Sequence, residues 1–209
     1  LCIMSGPNKF SGVEILDEDD AEEGKNFSVY NPSKTNKWIS QNQCEITKLT
    51  KANGKFAILT MFKFNSRLVV VFGSKNSHHC CYVDNLESFL DSTDITDIVK
   101  SIGDDIVDNL TLLISLFPKF QEGFSLVGEL EDGMHFVPGD NTVSWFGLFK
   151  NGLPCEPMKT LDLLTSFMIN TVKYEVVFSP GDTVEKLNKV FNMSRCDDGE
   201  GSVLYIRNT

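Results

Sequence analysis

The sequence has no run of about 18 consecutive apolar residues, the length that a membrane-spanning helix needs. Its first residues also lack the basic and apolar stretches of a secretory signal peptide. These absences predict no membrane partner and a location in the reducing cytoplasm or nucleus. The sequence begins without a methionine, which favours a fragment or an excised domain.

Patterns of metal ligands are scarce. The six cysteines and three histidines contain no Cys-x-x-Cys pair, whereas separated pairs of ligands are typical of structural zinc sites. The strongest metal candidate is the run His78-His79-Cys80-Cys81, whose consecutive spacing does not fit that pattern. We therefore expect thiols that stay reduced rather than a zinc site.

Positive charge is scarce too. The chain has 19 Lys and Arg against 29 Asp and Glu, which gives a formal net charge of −10. Nucleic-acid-binding proteins usually carry a basic face, so this balance weighs against such a partner. Much of the acidity, however, is confined to residues 17–23 and 197–200, which have the composition of solvated loops.

The hydrophobic pattern predicts an α+β fold with mainly antiparallel sheets and flanking helices. The chain has 209 residues, enough to bury a core. Gly73 to Ser77 is expected to break the sheet, and Ser92 or Thr93 is expected to cap the first helix. We predict strands at 44–50, 55–62, 67–73, 124–130, 134–137, 143–149, 174–178 and 202–207, and helices at 94–116, 159–169 and 183–191.

The segment around Lys51 is the first candidate site. A strand-like stretch ends at Thr50, and Asn53-Gly54 predicts a tight turn with positive φ. Lys51 would therefore stand at the end of a strand. A deprotonated lysine amine is a nucleophile, and desolvation or neighbouring cations lower its pKa. Taken alone, the pattern is weak evidence, because it is more typical of an exposed lysine on a solvated hairpin turn.

Four landmarks follow Lys51 in order along the chain. A second lysine, two carboxylates and an aromatic strand suit a nucleoside triphosphate, because rings stack on a base and carboxylates hold ribose or a metal. An acidic loop around Glu200 and a core role for the aromatic strand are the alternatives. The landmarks are Ser74-Lys75-Asn76, Glu129, the strand Trp145-Phe146-Gly147-Leu148-Phe149, and Glu200-Gly201.

This ordered set resembles the covalent nucleotidyltransferase superfamily of RNA ligases, DNA ligases and capping enzymes. The likeness is nearest to the adenylyltransferase domain of fungal tRNA ligases and T4-type RNA ligases, and it spans nearly the whole chain. The matching segments are Asn8-Lys9-Phe10 before the first motif, residues 45–54 as the first motif, Ser74-Lys75-Asn76 as the Ser-Lys-His element, Gly128-Glu129-Leu130 as the third motif, residues 145–149 as its aromatic companion, and Glu200-Gly201-Ser202-Val203 as the fourth motif.

The resemblance implies a nucleotidyltransferase (ATP-grasp-like ligase) fold over residues 1–209, truncated before the family's final Lys-x-Lys motif. It implies ATP as the nucleotide, Mg²⁺ or Mn²⁺ as the metal, and a lysyl-AMP intermediate. The product would be RNA sealed between a 5′-phosphate and a 3′-OH, with tRNA halves or nicked RNA as partners in tRNA splicing or RNA repair. An arginine that normally precedes the Lys-Phe element is missing, because Ser5-Gly6-Pro7 stands there.

The resemblance also implies roles for single residues. Lys51 would bond to AMP, and Lys75 would neutralise phosphate or the RNA end as a second catalytic residue. The nucleotide would be bound by these two lysines and by Thr50, Asn53, Gly54, Glu129, Phe146 and Glu200, of which Glu129 and Glu200 would also hold the metal. Two alternatives remain open, a catalytically inactive binding module of the same fold and a GTP-dependent capping enzyme.

Overall fold

The computed structural model describes Lys37, Ile39 and residues 43–52, 54–92, 94–119, 123–131, 133, 141–150, 153–193 and 202–208. Several predicted features lie outside these residues, namely Asn53, Glu200, the strand at 134–137 and the Asn8-Lys9-Phe10 element. The chain divides into two compact units. The described part of the first runs from Thr50 to Lys173, and the second contains the described residues on either side of it.

The described residues form nine strands and five α-helices, which confirms an α+β fold with mainly antiparallel sheets. No helix among them is both long and apolar enough to span a bilayer. The strands are β1 (Cys44–Thr50), β2 (Lys55–Phe64), β3 (Arg67–Gly73), β4 (His78–Tyr82), β5 (Phe124–Glu131), β6 (Thr142–Lys150), β7 (Leu153–Pro154), β8 (Tyr174–Phe178) and β9 (Ser202–Asn208). The helices are α1 (Leu86–Ser92), α2 (Asp97–Asp108), α3 (Leu110–Leu116), α4 (Pro157–Ser166) and α5 (Val184–Met193).

The first unit is built on a six-stranded sheet in the order β4-β3-β2-β5-β6-β7. Its β2–β3 hairpin turns at Asn65 and Ser66, whose φ angles of 48° and 64° are the positive values that a two-residue hairpin turn requires. Strands at 55–62 and 67–73 were predicted from the sequence, and the observed strands confirm them.

The prediction that Gly73 to Ser77 ends the sheet is wrong. The chain turns back there, and β4 pairs antiparallel with β3, from Gly73 opposite His78 to Val69 opposite Tyr82. The return is tight, because the amide of Ser74 donates to the carbonyl of Ser77 at 2.8 Å. A Cβ on Gly73 would lie 2.1 Å from the same carbonyl oxygen, so only glycine fits.

The prediction of one helix over 94–116 is also wrong, because α2 and α3 are separate helices that meet at Asn109. The Asn109 side-chain amide donates to the carbonyl of Asp105 at 2.8 Å. The backbone amide of Asn109 donates to the same carbonyl at 3.1 Å, and the break arises because Asn109, with φ −104° and ψ 10°, leaves the helical conformation. The residue that caps α2 is Thr96 rather than Ser92 or Thr93. Helix α1 was not predicted.

Helices α1, α2 and α3 pack on one face of the six-stranded sheet. Buried apolar side chains such as Leu59 and Phe72 of the sheet and Ile102 and Ile106 of α2 form this core. A buried carboxylate also joins the two layers, because Oδ1 of Asp105 accepts the backbone amide of Val143 in β6 at 3.1 Å.

The second unit has a three-stranded sheet in the order β8-β1-β9, with β1 and β8 antiparallel. Its core is formed by Ile39, Cys44, Ile46, Phe178 and Leu187. On β9, the guanidinium of Arg207 donates to the Glu45 carboxylate on β1 at 2.6 Å. This ion pair fastens the last strand to the first.

The bond between Asp105 and Val143 makes a testable contribution to stability. Asp105→Ala would leave a buried amide without its acceptor, which costs about 1–3 kcal/mol. We expect urea unfolding to show that loss, while Asp104→Ala, an exposed neighbour on the same helix, stays within about 0.5 kcal/mol of the parent. Equal effects of the two substitutions would contradict the assignment.

Candidate active site

Lys51 is exposed and lies directly after β1, as predicted. Thr50, the last residue of that strand, is also exposed, and its amide donates to the carbonyl of Lys173 at 2.9 Å. The backbone just before Lys51 is therefore held in place, while the lysine side chain reaches solvent.

Gly54 lies against the neighbouring strand β5. A Cβ at this position would be 2.0 Å from the carbonyl oxygen of Leu130 and 3.3 Å from the amide nitrogen of Glu131. Its φ is not positive, since the positive-φ glycines among the described residues are Gly123, Gly133 and Gly181. The predicted positive-φ turn at Gly54 is thus wrong, and glycine is needed there for close approach of two backbones.

Four chain segments meet at one end of the six-stranded sheet. Strand β2 begins at this end, next to Gly54, and the antiparallel strands β3 and β5 finish there. Lys75 is exposed in the turn that follows β3. Strand β6, antiparallel to β5, begins there with Thr142 opposite Glu131. The structure therefore brings the Lys51 segment, the Lys75 turn and the end of the Glu129 strand to the same sheet end.

Glu129 lies on the sheet face that does not carry α1, α2 and α3. Leu126 and Leu130 of β5 belong to the helix-covered core, and alternate strand residues point to opposite faces. A second cluster occupies the Glu129 face. This aromatic face consists of Ile58, Val127 and Phe149, which are buried, and of Phe56 and Phe146, which are partly buried and pack on them.

A β-bulge in β6 puts Phe146 and Phe149 together on the aromatic face. Val127 pairs with Gly147 while Gly128 pairs with Trp145, so Phe146 is the extra residue. Simple alternation would put Trp145 and Phe149 on one face. The bulge instead sends Trp145 to the helix-covered core, and Phe146 and Phe149 to the aromatic face.

Phe56 is a residue that the sequence analysis missed. It lies directly opposite Glu129 in the β2–β5 register, and like Phe146 it packs on the buried residues of the aromatic face. The signal in the sequence was its position two residues after Gly54, where the strand has just begun. A carboxylate thus lies between strands that each carry an aromatic ring.

A polar network extends the same face toward the sheet end, and the sequence analysis missed it as well. The buried hydroxyl of Ser144, which lies opposite Glu129, donates to Oε1 of Glu131 at 2.5 Å. The Asn170 side-chain amide donates to the carbonyl of Val143 at 3.1 Å and to the Ser144 oxygen at 3.4 Å. These bonds hold the Glu131 carboxylate in one position.

Of the two predicted metal ligands, Glu129 lies within the described residues and Glu200 lies outside them. Within them, no group of three or more His, Cys, Asp and Glu side chains is placed to hold a metal ion. The run His78-His79-Cys80-Cys81 lies in the edge strand β4. Burial, with a smaller effect of Cys80, raises the pKa of the Cys81 thiol to about 11. Since metals bind thiolates, this environment disfavours metal binding by Cys81.

The close approach at Gly54 predicts a severe effect of one added methyl group. Gly54→Ala would force β2 and β5 apart, and overpacking of this kind costs about 1–3 kcal/mol or more. We expect thermal or urea unfolding to show that loss. Asn76→Ala, an exposed turn residue at the same sheet end, is the control and should change stability by less than about 0.5 kcal/mol. A Gly54→Ala protein as stable as the control would contradict the contact.

The chain matches no known protein family, no curated protein and no solved structure at a significant level.

Proposed function

We propose that this chain is the adenylyltransferase domain of an ATP-dependent RNA ligase, in which Lys51 becomes covalently bound to AMP. One observation carries the proposal. The Lys51 segment and the exposed Lys75 turn lie at the sheet end where the Glu129 strand finishes, and Glu129 shares a sheet face with two partly buried aromatic rings. A nucleoside triphosphate needs that combination of cation, carboxylate and aromatic ring.

The chemistry follows from these groups. The unprotonated Nζ of Lys51 attacks the α-phosphorus of ATP, the bond to the β-phosphate oxygen breaks, and pyrophosphate leaves with its electron pair. The lysine loses a proton and keeps AMP as a phosphoramidate. AMP then passes to the 5′-phosphate of an RNA end, and the 3′-OH of the second end displaces AMP and closes the strand.

Lysines at the site offset the acidity of the whole chain. Lys75 is exposed beyond β3, and Lys173 lies beside Thr50 through its backbone. Phosphoryl transfer is promoted mainly by charge stabilisation and positioning, so cations near Lys51 matter more than the net charge of −10. We expect these lysines to contact the phosphates.

A divalent cation is compatible with the residues present. Mg²⁺ is commonly bound by one or two carboxylates together with substrate phosphates, rather than by a cage of protein ligands. Glu129 would hold it from the aromatic face, with Glu200 as the second carboxylate. The cation would neutralise charge that develops on the departing pyrophosphate.

The covalent intermediate gives the direct test. Full-length protein is incubated with Mg²⁺ and α-³²P-ATP, or in parallel α-³²P-GTP, and is then denatured and separated on a gel. We expect stable label from ATP, because a phosphoramidate survives denaturation, and we expect its loss in Lys51→Ala. Lys100→Ala, which removes an exposed lysine on α2, is the matched control and should keep the label.

Other outcomes separate the competing functions. Label from GTP in place of ATP would indicate a capping enzyme. No label from either nucleotide in a folded full-length protein would overturn the enzyme and leave a nucleotidyltransferase-like binding module. Label that persists in Lys51→Ala would show that another residue is the nucleophile.

A further inference from the structure

We propose that Glu131, which lies just outside the matched motifs, determines the sugar specificity of this site by accepting a hydrogen bond from a ribose hydroxyl of the nucleotide. The inference rests on the proposed function, because it concerns the same nucleotide.

Glu131 lies at the end of β5 that is close to the Lys51 segment. It is the last residue of β5 and lies two residues beyond Glu129, so both carboxylates share one face, about 7 Å apart along the strand. Its backbone nitrogen lies close to Gly54, 3.3 Å from where a Cβ on that glycine would stand. Lys51 precedes Gly54 by three residues, and three residues span at most about 11 Å. Glu131 is therefore the β5 carboxylate nearest to the Lys51 segment.

The Glu131 carboxylate is also preorganised by hydrogen bonds. Ser144, 7% exposed, donates to Oε1 at 2.5 Å, and Asn170 supports the Ser144 oxygen at 3.4 Å. The bond uses one oxygen of the carboxylate, and Oε2 retains its acceptor capacity for a ligand. A side chain restrained in this way loses little conformational entropy when it binds a substrate.

The chemistry of the nucleotide then selects the ribose. An ionised carboxylate only accepts hydrogen bonds, and it repels the negatively charged phosphates. The donors on a nucleotide are the ribose hydroxyls and the groups of the base. The rings of Phe56 and Phe146 lie farther from the sheet end than Glu131 does. A base stacked on those rings leaves the ribose, which joins base and phosphate, next to Glu131.

This assignment predicts discrimination between nucleotides that differ by one hydroxyl. A site built to bond a hydroxyl rejects the analogue that lacks it, because its polar group is left without a partner. We expect the full-length protein to form labelled enzyme from ATP with a kcat/KM at least about tenfold above that for one of two analogues, 2′-deoxy-ATP or 3′-deoxy-ATP. The analogue that reacts slowly identifies the hydroxyl that Glu131 contacts.

The test compares that ratio among variants. In Glu131→Gln we expect the preference to fall to less than about threefold, through slower labelling from ATP. Glu87→Gln, an exposed glutamate on α1, is the matched control and should keep the full ratio. A purely structural role of Glu131 would slow ATP and its deoxy analogues equally and leave the ratio unchanged, which would overturn the inference.

A second variant controls for a folding defect in Glu131→Gln. Ser144→Ala keeps the carboxylate but removes its restraint, so we expect an intermediate ratio; an unchanged ratio in this variant would count against the inference. If folded Glu131→Gln still forms labelled enzyme and keeps the full preference for ATP over the deoxy analogue, the role of Glu131 is overturned and the proposed function stands. Failure of the unmodified protein to form labelled enzyme overturns the proposed function and this inference together.

Discussion

The contact between Gly54 and the Leu130–Glu131 peptide is the constraint on which the candidate site depends. The two backbones approach so closely that no side chain fits at Gly54. From this contact, Lys55 pairs with Leu130 and Phe56 with Glu129. The same pairing therefore sets where the chain leaves β2 toward Lys51 and which β5 carboxylates lie beside it. A shift of one residue would send Glu129 and Glu131 to the opposite face.

The two faces of the six-stranded sheet differ in composition and in what they pack against. One face packs against α1, α2 and α3 and provides the core, and the buried Asp105 ties α2 to β6 through the Val143 amide. The other face carries carboxylates, hydroxyls and partly buried rings. The bulge at Phe146 shapes this second face, because it lets Phe149 share the face of Phe146 although three residues separate them, while Trp145 packs in the core.

Strands with clear hydrophobic patterning could be predicted from the sequence, and β1, β3 and β8 were found at their predicted bounds. Edge strand β4 was missed because His78 to Tyr82 carries no apolar alternation. The break at Asn109 arises from the backbone conformation of a single residue, which a continuous apolar pattern does not indicate. Phe56 and Glu131 were missed for a related reason, since their proximity to Glu129 and Gly54 arises from strand register between distant segments. The roles of Lys51 and Lys75 remain predictions.

Locating the AMP adduct on the chain tests most directly whether Lys51 is the nucleophile. Full-length protein treated with ATP and Mg²⁺ is digested, and mass spectrometry maps the site of added AMP. We expect AMP on the peptide that contains Lys51, at the Lys51 side chain, with Lys48, Lys55 and Lys75 unmodified. AMP on another lysine, or no AMP on a folded protein, would contradict it.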